Sequence, residues 1–380
     1  MSLPSKMPHI EPSIFPVMSE LARAHNAVNL AQGFPGFGAD PQLLALIGDY
    51  TRKGYNQYAP LKGVLQLREK ISKKIAKRGG RVYHPEKEVC ITAGATQAIF
   101  TAISALVFEG DEVIVVDPAY DCYVPAILLN KGIPVRSELR KVSYEIDWKD
   151  IQSKVNEKTR CIIVNTPHNP TGKVWEQSDI DGLRKVVQGT KLFVLADEVY
   201  EHIVYNGLPH LSIANEPDLA DRAFVFYSFG KTYHMTGWRV GYVCAPANLM
   251  AEFVKCHQFQ VYAVNTPFQH AVAAYMENEA AYLSLRDFFQ EKRDFFLNAI
   301  KGSRFKAIAP SGTYFALLDY GRISEERDRD FANRLTIDYK VAAIPVSVFF
   351  ESKRQDQVLR FCFAKENHEL EQAAEALHRL

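Results

Sequence analysis

The sequence predicts an α/β protein, with a large domain on a mostly parallel, doubly wound sheet and a second, smaller α+β domain. Three observations carry that expectation. The chain has 380 residues, more than one domain of roughly 150. From Val89 onward, short β-branched runs alternate with helical stretches, and beyond Ala247 that alternation stops. Residues 89–92, 112–116, 160–165, 191–196, 223–227 and 240–244 read as buried strands, because short continuous apolar runs suit strands covered on both faces. Between them, residues 95–108 open a helix just after Gly94, and residues 178–187 begin at Ser178, a good N-cap. Strand and crossover helix repeated in this way build a parallel sheet with right-handed connections.

Residues 247–300 are rich in Glu, Ala and Phe at helical spacing, which predicts long helices leaving the sheet and linking two domains. Beyond Arg304, residues 315–319, 341–344 and 358–363 read as strands of a separate small sheet, with helices over 330–339 and 369–380. The expected division is a small domain of residues 1–40 and 290–380, and a large domain of residues 41–289.

Composition narrows the function. Lys+Arg 45 against Asp+Glu 44 leaves a net charge of +1, so no global field draws the chain to nucleic acid or acidic membranes. No apolar run reaches the roughly 18 residues of a membrane span, and the first twelve residues lack the apolar core of a secretory signal. The six cysteines form no C-x-x-C pair, the pattern of reduced thiols in a cytoplasmic protein. The mixed-charge run 325–330 reads as a solvated helix start, and nothing in the sequence forms a metal-ligand cluster.

The most informative segment is Ser228-Phe229-Gly230-Lys231-Thr232, after a predicted strand. A phosphate-binding P-loop would need glycine at position 225, which is Val, so nucleotide binding by that motif is excluded. A lysine amine can instead trap a carbonyl as a Schiff base when its surroundings lower its pKa, and pyridoxal phosphate is the common partner. That cofactor needs an acid for its pyridine nitrogen, a cradle for its phosphate and groups that hold its ring. Asp197 follows the apolar run 192–196, and ligands of open α/β sheets sit beyond the carboxyl ends of the strands. Tyr200, three residues on, shares its face if a helical turn follows. Gly94, Ala95 and Thr96 stand where a strand meets a helix N-terminus, a natural phosphate seat, and Arg239 adds a cation suited to phosphate.

Four segments together, Asn169-Pro170-Thr171-Gly172, Asp197-Glu198-Val199-Tyr200, Ser228-Phe229-Gly230-Lys231 and Gly237-Trp238-Arg239-Val240-Gly241, match class I aminotransferases of fold type I in order and spacing. The resemblance runs from about Asn29 to Ala364. It is closest to the methionine aminotransferase and kynurenine/glutamine transaminase branch, through Gln32-Gly33-Phe34-Pro35, Asn56-Gln57-Tyr58-Ala59-Pro60 and Thr166-Pro167-His168-Asn169-Pro170.

The resemblance implies a role for each residue. Lys231 carries pyridoxal 5′-phosphate as a Schiff base and moves the substrate proton, Asp197 pairs with the pyridine nitrogen, and Asn169 and Tyr200 bond the phenolic oxygen. Tyr120 stacks on the ring. Gly94, Ala95, Thr96, Ser228 and Arg239 hold the phosphate, and Tyr58 reaches the phosphate of a neighbouring subunit's cofactor, implying a homodimer with shared active sites. Arg360 grips the substrate carboxylate, helped by Asn169 and Gly33, while Phe15, Asn265 and Phe349 shape the side-chain pocket. Gly36 departs from the branch, which usually carries Asp there.

An apolar, aromatic pocket with no second arginine favours methionine or aromatic side chains over a dicarboxylic substrate, whose buried carboxylate would be unpaired. The expected reaction is a ping-pong transfer of an amino acid's amine to a 2-oxo acid. The rival reading is a kynurenine/glutamine transaminase with cysteine-conjugate β-lyase activity. A ligand-sensing regulator would add a DNA-binding helix-turn-helix, for which the N-terminal residues ahead of the resemblance leave no room.

Overall fold

The computed structural model describes residues 4–380. Its centre is a seven-stranded sheet that runs, edge to edge, Val89–Thr92, Gly241–Cys244, Ala223–Ser228, Phe193–Asp197, Thr159–Asn165, Glu112–Asp117 and Ile133–Glu138. Every neighbouring pair is parallel except the two that Gly241–Cys244 makes. Apart from a few half-buried positions, mostly at strand ends, the strands other than Ile133–Glu138 are buried, which explains why they read as apolar runs. The six predicted strands are all present.

The seventh, Ile133–Glu138, was not predicted. It is an edge strand, largely unburied, and carries Pro134, a residue tolerated in sheets mainly at edges.

The helix predicted from Ser178 starts one residue earlier, at Gln177. Ser178 is not its cap: the backbone N–H of Glu176 donates to the Asp179 carboxylate at 3.0 Å, closing the first turn from the other side. Residues 247–300 form the helices Ala247–Gln260, Thr266–Tyr275, Ala280–Leu283 and Leu285–Ala299.

The C-terminal part holds a four-stranded sheet ordered Ile344–Pro345, Val358–Cys362, Phe315–Asp319 and Lys306–Ile308, all antiparallel. The predicted strand 341–344 is split: Val341–Ala342 pairs in parallel with Val28–Asn29, and only Ile344–Pro345 joins the four-stranded sheet. The N-terminal segment is thereby tied to the C-terminal part by backbone pairing, and helix Ile14–Ala24 packs on Asp328–Tyr339.

All six cysteines are free; Cys90, Cys161, Cys244 and Cys362 are buried, whereas Cys122 and Cys256 are partly exposed. Among the described residues, no helix is long and apolar enough to cross a membrane, and no group of three or more His, Cys, Asp or Glu side chains is placed to hold a metal ion.

Candidate active site

The carboxyl ends of three adjacent strands open into a cavity of about 230 Å3. Twelve of the sixteen residues singled out for the site line it: Phe15, Gly33, Ala95, Thr96, Tyr120, Asn169, Asp197, Tyr200, Ser228, Lys231, Arg239 and Arg360; Phe349 stands behind Arg360 without lining it. They come from both sheets and the N-terminal segment, so the site exists only where these parts meet.

Lys231 sits on a single helical turn, Phe229–Thr232, that follows the strand ending at Ser228. Its Nζ donates to the Gly33 carbonyl and to the Tyr314 hydroxyl, both at 3.0 Å, and lies over the Tyr200 ring at 5.6 Å. No carboxylate pairs with it directly. Burial pushes its pKa down to about 8, with the Arg360 and Arg239 guanidinium groups acting in the same direction. The amine is thus far closer to its neutral, nucleophilic form than an exposed lysine.

Asp197 ends the Phe193–Asp197 strand and is 4% exposed. Burial raises its pKa to about 6, although the Tyr123 hydroxyl donates to Oδ2 at 2.6 Å and the Val199 N–H to Oδ1 at 3.3 Å. A buried carboxylate held by a hydroxyl and an amide, with no cation bonded to it, is suited to a cationic partner brought from outside. The turn after it is locked by Glu198, which is fully buried and accepts bonds from Ser212 Oγ at 2.6 Å and the Ile213 N–H at 2.8 Å. Residues 199–202 form a turn instead of a helix, yet Tyr200 still enters the cavity.

At the cavity's other end, the helix Ala95–Leu106 begins at Gly94, whose φ of +79° and lack of a side-chain cap leave its first amides to face the cavity. Gly94 itself does not line the cavity. A Cβ there would sit 2.5 Å from Nη2 of Arg239, so glycine is what lets the guanidinium lie against this helix start. Ser228 and Thr96 complete a seat for a small anion, and Tyr120 stands beside it.

Arg360 is fully buried, donating through Nη1 to Asn169 Oδ1 and through Nη2 to the Ala31 carbonyl, each at 2.9 Å. Its Nε is buried without a partner, and its guanidinium stacks 4.0 Å from the Phe315 ring centre, with Phe15 at 5.1 Å and Phe349 at 5.9 Å. A guanidinium fixed this firmly, with donor capacity left over, fits a carboxylate.

Tyr58 and Asn265 lie outside this chain's cavity. Tyr58 is 82% exposed, and the Asn265 side chain caps helix Thr266–Tyr275 by accepting from the Phe268 N–H at 3.2 Å. The two are neighbours, since Thr266 Oγ1 donates to the Gln57 carbonyl at 2.6 Å. At Gly36 a Cβ would be 3.0 Å from the Glu369 carboxylate and 3.2 Å from Lys365 Cδ, so the space beside this loop is already filled by those two side chains.

Four residues were not anticipated: Tyr314, Tyr123, Asn165 and Phe315. Tyr123 stands three residues after Tyr120, a spacing that could have flagged it. Asn165 donates to the Asp197 carbonyl and accepts from the Asn169 N–H, both at 2.8 Å, coupling two site strands. Tyr314 lies far away in sequence and carries no local signal.

The family described as aminotransferase class I and II matches residues 25–377. The chain is 45% identical to methionine aminotransferase of Escherichia coli over 377 residues, covering 99% of this chain and 98% of that one. It is 32% identical to a kynurenine–oxoglutarate transaminase of Dictyostelium discoideum, covering 97% and 94%. Among solved structures, an E. coli protein described as having a methionine aminotransferase function superposes with a TM-score of 0.98 at 44% identity, covering 100% of both chains. With a half-buried lysine of lowered pKa, a buried aspartate and an anion seat in one cavity, and a family match over nearly the whole length, the chain belongs to the class I and II aminotransferases.

Proposed function

We propose that this protein is a pyridoxal 5′-phosphate-dependent transaminase that takes the amino group from methionine and passes it to a 2-oxo acid by a ping-pong mechanism. The single observation that carries the proposal is Lys231, a half-buried side chain whose amine has a pKa near 8, set between a buried, cation-free carboxylate and a buried arginine. The residues fit the cofactor: Asp197 offers the charge its ring nitrogen needs, and the Gly94 turn with Thr96, Ser228 and Arg239 offers a phosphate seat. When bound, the cofactor supplies an aldehyde and an electron-withdrawing ring.

The chain's own groups do the rest. Arg360, braced by Asn169 and Ala31, binds and orients the α-carboxylate of the amino acid; Tyr120 would stack on the cofactor ring, and Asn169 and Tyr200 would bond its phenolic oxygen. Lys231 Nζ, once free, is the base that removes the α-proton and returns it. Tyr314 and the Gly33 carbonyl hold Nζ in place between these steps. Phe15, Phe315 and Phe349 around Arg360 exclude water and favour an apolar side chain. Among the described residues of this chain, the cavity's cations are Lys231, Arg239 and Arg360, each already assigned, so this chain offers none to a second substrate carboxylate.

The similarity to methionine aminotransferase favours methionine as donor over kynurenine or glutamine. The exposed pair Tyr58 and Asn265 supports a homodimer in which each copy completes its partner's site, with residues 1–40 and 290–380 as the small domain and 41–289 as the large one. An absorption spectrum tests the core of this reading: a near-visible band that excess L-methionine converts to an ultraviolet one is expected. A band bleached by kynurenine but not by methionine would overturn the donor, and absence of any band with added cofactor would overturn the reading itself.

A further inference from the structure

A second cavity, also of about 230 Å3, adjoins the active site and shares Asn165 with it. It lies against the Glu112–Asp117 and Thr159–Asn165 strands, under the loop of residues 139–146 and beside the start of helix Gln177–Val187. Four aromatic side chains line it: Tyr123, Tyr144, Trp148 and Trp175, the two tryptophans meeting edge to face with ring centres 5.6 Å apart. Two of the protein's three tryptophans are therefore here.

Size and charge define what would fit. A cavity of roughly 150 Å3 lined by apolar side chains accepts benzene, so this one has room for two fused rings. The charged groups around it are Lys173 against Glu145, Glu176 and Asp179, a negative balance that disfavours carboxylates and hence the substrates themselves. Aromatic walls favour a flat ring through edge and face contacts. The roof is held in an unusual shape: Val142 and Tyr144 have φ of +71° and +53°, values that L residues rarely adopt, and Tyr144 is anchored by its hydroxyl to Asp356 at 3.1 Å.

The inner wall reaches the chemistry. Tyr123 is the hydroxyl that holds Asp197, and Asn165 ties the Asp197 carbonyl to the Asn169 amide. We propose that this cavity binds an uncharged aromatic molecule of one or two fused rings, and that its occupancy acts on Asp197 through Tyr123 and Asn165. The binding half stands on the cavity alone; the coupling half rests on the transaminase reading, and the two are measured separately.

Indole is the probe. Titrated into the cofactor-loaded enzyme, it should change tryptophan emission or heat in a saturable way, with half-saturation near ~1 mM, as befits a nine-atom ligand. Saturating methionine should leave that curve unmoved, and kcat should shift with the same half-saturation while KM for methionine stays constant. Ser178 is exposed, lines this cavity and touches no active-site group; Ser178→Phe should weaken indole at least tenfold while kcat without indole is unchanged. Calorimetry of that variant guards against a signal from Trp238. No saturable binding, displacement by methionine, or an unaltered curve in the variant would each overturn the site. Binding with kcat unmoved would overturn the coupling and leave the site standing, and loss of all transamination would overturn the transaminase reading without touching the emission result.

Discussion

Replacing Asp197 with asparagine should make the cofactor-free protein more stable and the enzyme inactive. In the folded chain the carboxyl is 4% exposed and titrates at about 6, against about 3.9 when unfolded. Below pH ~4 both states hold the proton and the group is neutral to stability. Between ~4 and ~6 the unfolded state ionises while the folded state keeps its proton, so stability falls as pH rises. Above pH 6 the cost is complete, about two pKa steps or ~3 kcal/mol. A chain of 380 residues has an unfolding entropy near 0.8 kcal/mol/K at about 2.1 cal/mol/K per residue, so the shift in Tm is about 4 °C. Asparagine keeps one oxygen to accept from the Val199 amide, and its NH2 group takes the place of Oδ2 and donates to the Tyr123 hydroxyl, which accepts instead of donating.

The assay is thermal unfolding of the apo forms of both proteins across pH 4.5 to 8. The variant should gain on the wild type as pH rises and plateau above about 7, while added pyridoxal phosphate stabilises the wild type far more than the variant. A variant less stable than the wild type at pH 8, or a difference that does not vary with pH, would refute the reasoning. The buried charge would then not be the destabilising group that a cationic ring nitrogen relieves.

Lys231→Ala should lose the near-visible band and at least ~10⁴-fold in kcat, since no other amine is within reach to trap the aldehyde or carry the proton; single-turnover bleaching measures both. Arg360→Lys keeps the charge but cannot donate to both Asn169 and Ala31. It should cost ~10²-fold in kcat/KM for methionine, about 3 kcal/mol, and an unchanged value would remove Arg360 from carboxylate binding. Gly94→Ala adds a Cβ against Arg239 at a φ of +79° and should weaken cofactor binding about tenfold or more, read as the concentration that half-restores the band. Methionine kinetics at varied 2-oxo acid should give parallel double-reciprocal lines; convergent lines would exclude the ping-pong order.

Much of this site was legible because aminotransferase chemistry is carried by short motifs at strand ends. Asp197, Ser228 and Lys231 each follow an apolar run, and a run of that kind marks a buried strand whose carboxyl end opens on the site. Arg360 was reachable only through the resemblance: within the Val358–Cys362 strand it interrupts an apolar run, and by periodicity alone it is a fault in a core. The Ile133–Glu138 strand escaped because an edge strand carries no buried-face pattern. The split at 341–345 escaped because pairing partners are chosen across the fold, by Val28–Asn29 on one side and Val358–Cys362 on the other.

By itself the sequence determined the fold class, the order of the sheet-forming runs and the identity of the groups able to do chemistry, since these follow from local hydrophobic pattern and side-chain type. Only the tertiary structure decided their strength. A pKa near 8 for Lys231 and near 6 for Asp197 comes from burial by residues hundreds of positions apart. Tyr314, 83 residues from Lys231, and Tyr123, 74 residues from Asp197, become their partners only when distant segments pack together. Desolvation and hydrogen-bond geometry are properties of an assembled interior, and no stretch of chain contains them until it folds.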